Sequence, residues 1–218
     1  MVLLMASLSG TGRLADDLYL MAHHDVTGRP YLQPRATGIG LAGALLAELT
    51  MAGSIEVTPL AVAVTSSAAS SERLAGDVLS LIGGERDRHP AGEWLHYLAH
   101  NAPADVARRL AESGYLTGAS SRLPWRAGRW VPTDSDCAFM PLNRARMALD
   151  TSRPVSVHAA ALVGLAAACG LETRLLAYAP PRGHRCPQEA AGLLPPGLRE
   201  LVAQTQAAVD TAVLAQRA

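Results

Sequence analysis

The segment from Gly38 to Met51 is apolar on nearly every face, and Glu48 is its only charged residue. A helix at a protein surface pairs an apolar stripe with a polar one; a helix without the polar stripe has to be surrounded. The segment is too short to cross a bilayer, which takes about 20 apolar residues. It is read as a central helix that the rest of the chain must wrap. Thr37 stands where a hydroxyl can cap the first turn, and Gly53 stands where a helix often ends in a left-handed residue. Gly38, Gly40 and Gly43 leave room for neighbouring elements to approach closely. Glu48 is read as a buried acid bonded to a nearby backbone group or arginine. The sharper alternative is a catalytic acid or base of raised pKa, but no second carboxylate is seen in a matching setting.

A chain of 218 residues can bury a large core as a single domain. It has one phenylalanine, so that core is built from Leu, Ala, Val and Met, a composition that favours helices. The formal net charge is zero, which argues against a general nucleic-acid binder. All 19 basic residues are arginine. Mutational bias accounts for that, although arginine is also the better fork for phosphate. Cys137, Cys169 and Cys186 have no paired spacing, which fits a reducing cytoplasm rather than a disulfide framework. The opening Met1-Val2-Leu3-Leu4-Met5 lacks a basic n-region and a cleavage site. No segment reads as membrane-spanning, so any membrane contact has to be peripheral.

Periodicity predicts a first helix over about 12–22, with Leu14, Leu18 and Met21 on one face, then a turn through Asp25-Val26-Thr27-Gly28. His23, His24 and Asp25 are weighed as metal ligands and set aside, because adjacent histidines do not share a helix face. Short extended pieces are expected at 54–58 and 60–65, followed by a polar linker. A helix capped by Ser70 or Ser71 then runs to about Ile82, with Leu74, Val78, Leu81 and Ile82 inside. Helices over about 91–100 and 104–113 follow. Trp94, Leu95 and Leu98, then Val106 and Leu110, point in, while Arg108 and Arg109 point out. Further helices are expected over about 136–149, 155–169 and 171–178, then a Pro-rich and Gly-rich connector over about 178–197, and a last helix over about 198–217. His158 is read as a hydrogen-bonded core histidine. His184 and Cys186 offer two metal ligands where a site needs about four. No metal site and no cofactor is expected.

The hairpin, about 115–133, is the most unusual stretch outside the core. Arg122, Arg126 and Arg129 interleave with Leu123, Trp125 and Trp130, and no acid follows until Asp134. Tryptophan prefers the water–lipid interface and arginine pairs with lipid phosphates, so the hairpin is a candidate for pressing into an anionic membrane. A solvated hairpin whose tryptophans pack back on the core, or tryptophans stacked on nucleic-acid bases, are the other uses of the same residues. The nucleic-acid use is set aside. No phosphate-cradling loop, nucleophile elbow, zinc pattern or HExxH is present, and no enzyme is expected. The residues alone stop at a mainly α-helical domain with one basic-aromatic hairpin.

Three local patterns go further. Leu14-Ala15-Asp16-Asp17-Leu18-Tyr19-Leu20-Met21 precedes the Asp25-x-x-Gly28 turn. Leu41-Ala42-Gly43-Ala44-Leu45-Leu46-Ala47-Glu48-Leu49 precedes Gly53-Ser54-Ile55. Val106 to Leu116, read Val-Ala-Arg-Arg-Leu-Ala-Glu-Ser-Gly-Tyr-Leu, precedes the hairpin. In order and spacing they resemble the Golgi phosphoprotein 3 family, in its bacterial form, from about Arg13 to the last helix. The resemblance implies a mainly α-helical domain with an amphipathic β-hairpin and no catalysis. It also implies a peripheral adaptor on the cytoplasmic face of a membrane that binds phosphatidylinositol 4-phosphate and inserts Leu123, Trp125 and Trp130. Eukaryotic members hold the head group with a tryptophan and three arginines. The tryptophan position falls near Gln33, with Tyr31 and Leu32 the nearest large side chains. The arginine positions fall at Ala42 and at about His100 and Pro103, so none of the three is kept. Arg35, Arg122, Arg126 and Arg129 are then the candidates for the positive charge, and Tyr31, Gln33 and His100 for the pocket edge. The alternative is a soluble interaction or oligomerisation module that docks a protein partner, or its own copy, through the hairpin tryptophans. A third reading is an unrecognised enzyme built on Glu48, His158 or the His23-His24-Asp25 cluster.

Overall fold

The computed structural model describes residues 11–66, 72–119, 129–177 and 183–215. They form ten helices and two short antiparallel hairpins, a mainly α architecture. In chain order these are α1 (Leu14–Ala22), α2 (Pro34–Met51), β1 (Ile55–Val57), β2 (Val62–Val64), α3 (Arg73–Gly84), α4 (Ala91–Leu98) and α5 (Ala102–Glu112). Then come β3 (Leu116–Ala119), β4 (Arg129–Pro132), α6 (Ser135–Ala148), α7 (Val157–Ala168), α8 (Glu172–Leu176), α9 (Pro187–Gly192) and α10 (Pro196–Ala215).

Helix α2 is the axis. It packs against α1, α3, α4, α5, α7 and α10, and Ile39, Leu41, Leu45, Leu46 and Leu49 are all buried. Its glycines let those neighbours in. A Cβ on Gly38 would lie 2.3 Å from the Ala99 carbonyl oxygen, one on Gly40 2.2 Å from Cys169 Sγ, and one on Gly43 2.7 Å from Thr205 Oγ1. Each is closer than van der Waals contact allows, so three neighbours sit where side chains would otherwise be. Burial pushes the Cys169 thiol up to about 12, so it packs under Gly40 as a small neutral group.

The helix begins one turn earlier than its apolar run. Gln33 takes the N-cap position and Pro34 the first turn, where proline's fixed φ and missing N–H cost nothing. Thr37 therefore lies inside the helix, and its hydroxyl donates to the Gln33 carbonyl (3.1 Å) instead of capping. At the other end Gly53 adopts φ +69°, and its N–H donates to Thr50 (3.1 Å).

Helix α1 is a second interior element. All nine of its residues are buried, Asp16 and Asp17 included, where spacing predicted a single inward face. It lies between α2, α5, α6 and α7. Strands β1 and β2 pair with Ile55 opposite Val64 and Val57 opposite Val62. Ser70 and Ser71 lie outside the described residues. The cap of α3 is Glu72, whose carboxylate accepts from the N–H groups of Leu74 (3.2 Å) and Ala75 (2.7 Å). Leu81, expected inside, is exposed, because α3 lies at the edge, mainly on β2 and α2.

The connector is not structureless. Pro187–Gly192 form α9, closed by a capping box between Cys186 and Glu189, and α10 begins at Pro196. Two prolines that read as loop signals occupy first turns, where they are tolerated. In the larger hairpin Leu116 pairs with Pro132, Gly118 with Trp130 and Ala119 with Arg129. Thr133 closes its neck, donating from Oγ1 to the Gly114 carbonyl (2.7 Å). Arg122, Leu123, Trp125 and Arg126 lie outside the described residues.

Candidate functional site

Because Gly38 admits the Ala99 carbonyl, the junction between α4 and α5 packs directly on the start of α2. A cleft of about 430 Å³ opens at this meeting point, lined by Pro34, Arg35, Ile39, His96, Ala99, His100 and Pro103. Arg35, His96 and His100 are exposed, and no carboxylate stands in the lining. Arg35 and His100 thus line the same cleft. Gln33 sits one residue outside the wall, as the cap of α2. Ala42 is fully buried and offers nothing to a ligand. Sequence reasoning missed His96. Its spacing of four from His100 was visible and would put both on one face of the helix expected over about 91–100, but the helix ends at Leu98 and His96 was not singled out.

The hairpin is anchored beside the loop that leads to this cleft. Gly28 has φ +62°, and a Cβ there would lie 2.0 Å from the Trp130 carbonyl oxygen. The Asp25–Gly28 turn therefore seats against β4. The Trp130 ring covers Gly118 across the hairpin and remains 37% exposed; Arg129 is also exposed. Tyr31, three residues after Gly28, is 41% exposed and lies beneath the Arg174 guanidinium, 3.6 Å from its carbon. Its N–H donates to the Ala22 carbonyl (2.9 Å).

A second polar centre lies inside the protein. Arg109, expected to point outward, is only 5% exposed. It contacts Asp16 (Nε to Oδ1, 2.8 Å), Glu48 (Nη1 to Oε2, 3.3 Å) and Glu72 (Nη1 to Oε2, 3.2 Å). Residue 109 shares a helix face with the buried Val106 at a spacing of three, so the signal was present. It was outweighed by the expectation that arginine seeks water. Arg108 does point out, paired with Asp105 (2.6 Å). Glu48 also accepts from the Ala15 N–H (2.8 Å), so it holds α1 and α5 to α2 by the backbone and arginine contacts expected of it. The matching carboxylates that the sequence did not reveal are Asp16 and Glu72.

Burial pushes Asp16 up to about 6, against the opposing pull of Arg109. Burial also disfavours the charge on Arg109, yet Glu48 and Asp16 hold its pKa above the ordinary arginine value. Three carboxylates stand around one guanidinium, and the burial of Asp16 makes it easier to protonate than an ordinary carboxylate.

Next to this centre the fully buried Asp17 accepts from the Thr11 N–H and hydroxyl (3.2 and 2.9 Å), from Arg144, and lies 3.2 Å from His158 Nε2. His158 is thus a hydrogen-bonded histidine at the core's edge. Burial lowers the His23 pKa, and its Nδ1 lies 2.7 Å from the Tyr19 carbonyl.

A buried glycine-notched axis, an exposed cleft with Arg35, His96 and His100 at its start and a hairpin anchored beside the same loop lie together on one helical scaffold. The family model of Golgi phosphoprotein 3 (GPP34) matches residues 14–213, from the start of α1 into the last turns of α10. The chain belongs to the Golgi phosphoprotein 3 family. No curated protein matches it. No helix among the described residues is long and apolar enough to cross a membrane.

Proposed function

We propose that the protein binds anionic lipid head groups at the cytoplasmic face of a membrane, as a bacterial-type peripheral adaptor without catalytic activity. The cleft of Arg35, His96 and His100 carries this reading. It gathers cationic and titratable side chains at the start of a helix whose first turn holds no acid, and helix N-termini favour anions. The exposed Trp130 and Arg129 at the hairpin base supply interfacial groups of the right character. Glu48 supports the non-catalytic part, because its oxygens are engaged by Ala15 and Arg109. Phosphatidylinositol 4-phosphate is the candidate lipid.

Co-sedimentation with vesicles of neutral lipid, a generic anionic lipid and phosphatidylinositol 4-phosphate at matched surface charge tests the proposal. Binding to the anionic vesicles that Arg35→Ala weakens several-fold supports it. Preference for the phosphoinositide names the ligand. Absence of binding to any vesicle overturns it and leaves docking to a protein, or to a second copy, through the hairpin tryptophans.

A further inference from the structure

The cleft at the start of α2 holds one permanent cation and two titratable groups. Arginine stays charged across the physiological range, whereas histidine ordinarily gains its charge near about pH 6.5. His96 and His100 are both exposed and both in the cleft lining. They stand at the same end of α4: His96 lies in its last turn, and Ala99, between the two, is its C-cap. The carbonyl groups at a helix C-terminus favour a cation nearby and disfavour an anion. The start of α2, which supplies Pro34 and Arg35 to the same lining, does the opposite. An anion in the cleft therefore meets one welcoming helix end, and a second that welcomes it only when the histidines carry charge.

No acid in the lining takes the anion's place. On α4, Glu93 pairs with His89 (2.7 Å). On α5, Asp105 pairs with Arg108 (2.6 Å). On α2, Glu48 is engaged by Ala15 and Arg109. On α10, which packs on α4, Glu200 accepts from Gln204 (2.7 Å) and Asp210 from Gln206 (2.9 Å). Arg35 is the one permanently charged residue of the lining. Like charges gathered in one cleft repel, and an anion among them removes the repulsion.

We infer that anion binding in this cleft is coupled to proton uptake by His96 and His100, so that the protein holds an anionic membrane more tightly as pH falls. The inference rests on the membrane-binding reading and adds its control. The sign follows from linkage. The anion favours the protonated histidines, so affinity rises as pH drops through about 6.5 and levels off below it, where both are charged. Above that range Arg35 and the start of α2 act alone.

The test follows co-sedimentation with phosphatidylcholine vesicles holding phosphatidylglycerol, a diester whose own charge is constant across the range. Binding of wild type should strengthen about tenfold from about pH 7.5 to about pH 5.5. The chain has seven histidines, and all of them gain charge together, so variants decide which matter. His96→Gln/His100→Gln should stay at the weaker level at every pH. His96→Arg/His100→Arg should bind at the stronger level throughout, and the control His89→Gln should respond as wild type does. A parallel proton NMR titration uses sulfate in solution, which should move the midpoints of His96 and His100 upward and leave His89 in place. Melting curves confirm that each variant folds.

A pH response that is absent in wild type, or that survives His96→Gln/His100→Gln, overturns the coupling and leaves the membrane reading standing. Sulfate-linked titration of the two histidines without vesicle binding at any pH keeps the coupling and removes the membrane reading. A negative result in both arms removes both.

Discussion

Arg109 faces three carboxylates with one positive charge, and its removal is the most damaging single change the interior offers. Arg109→Ala strands Asp16, Glu48 and Glu72 around an empty centre. Breaking a buried ion pair from one side costs about 3–5 kcal/mol, a large fraction of the stability of most domains. Urea denaturation should register that loss. Arg109→Lys should recover only part of it, since one ammonium cannot reach three acids in the geometry of a fork. The Asp16 proton gives a second test. Its pKa is about 6 in the folded protein against an ordinary 3.8, so the folded state holds this proton to higher pH than the unfolded chain does. The group's contribution is fully present below pH 3.8 and is lost as pH rises through about 6, amounting to at most about 3 kcal/mol. Asp16→Asn mimics the protonated acid and does not titrate. The stability of Asp16→Asn relative to wild type should therefore rise between acid and neutral pH; a constant difference in melts across that range would show that Asp16 is not the titrating group.

Among the elements, α2 shows how small residues set a packing distance. Gly38→Ala gains about 1 kcal/mol of helix propensity, but its methyl meets a backbone oxygen that cannot rotate away, and overpacking of this kind costs about 1–3 kcal/mol or more. The net effect should be destabilising in thermal melts. Gly76 in α3 has nothing within 4 Å of a would-be Cβ, so Gly76→Ala should instead stabilise by about 0.5–1 kcal/mol. The same helix marks what the sequence could reveal. An all-round apolar segment has one explanation, so its burial and its close neighbours were legible from Gly38, Gly40 and Gly43. The full burial of α1 was not, because Asp16 and Asp17 read as a solvent face until Arg109 and Arg144, far away in sequence, supply their partners. Helix α9 was hidden for a different reason: proline signals a loop and a helix's first turn alike, and only the Cys186–Glu189 box decides between them. Of the candidate site, Arg35 and Tyr31 were visible as residues just before the core helix, and His100 only through the family resemblance. His96 had a local signal in its spacing of four from His100, whereas the cleft that brings His96 and His100 beside Arg35 depends on how α4 and α5 pack on α2, which no local pattern states.

At the scale of the molecule, the loop over residues 23–33 joins the hairpin to the cleft: it abuts β4 at Gly28, stacks Tyr31 under Arg174 and leads into α2 at Arg35. The charged and apolar parts of the proposed membrane contact should separate by their salt response. Raising salt shortens the reach of charge, so Arg35→Ala should flatten the salt dependence of vesicle binding, whereas Trp130→Ala should weaken binding by a similar factor at every salt concentration. If both variants respond alike, the contact does not divide into a charged part at Arg35 and an apolar part at Trp130. The Gly28 contact has a mechanical meaning as well. With 2.0 Å between a would-be Cβ and the Trp130 carbonyl oxygen, the root of the hairpin is clamped against a turn rather than hung from its two strand ends. A clamp of this kind passes force at the root of the hairpin into the loop that carries Tyr31 and leads to Arg35, and a single methyl at position 28 would loosen it without altering any charge.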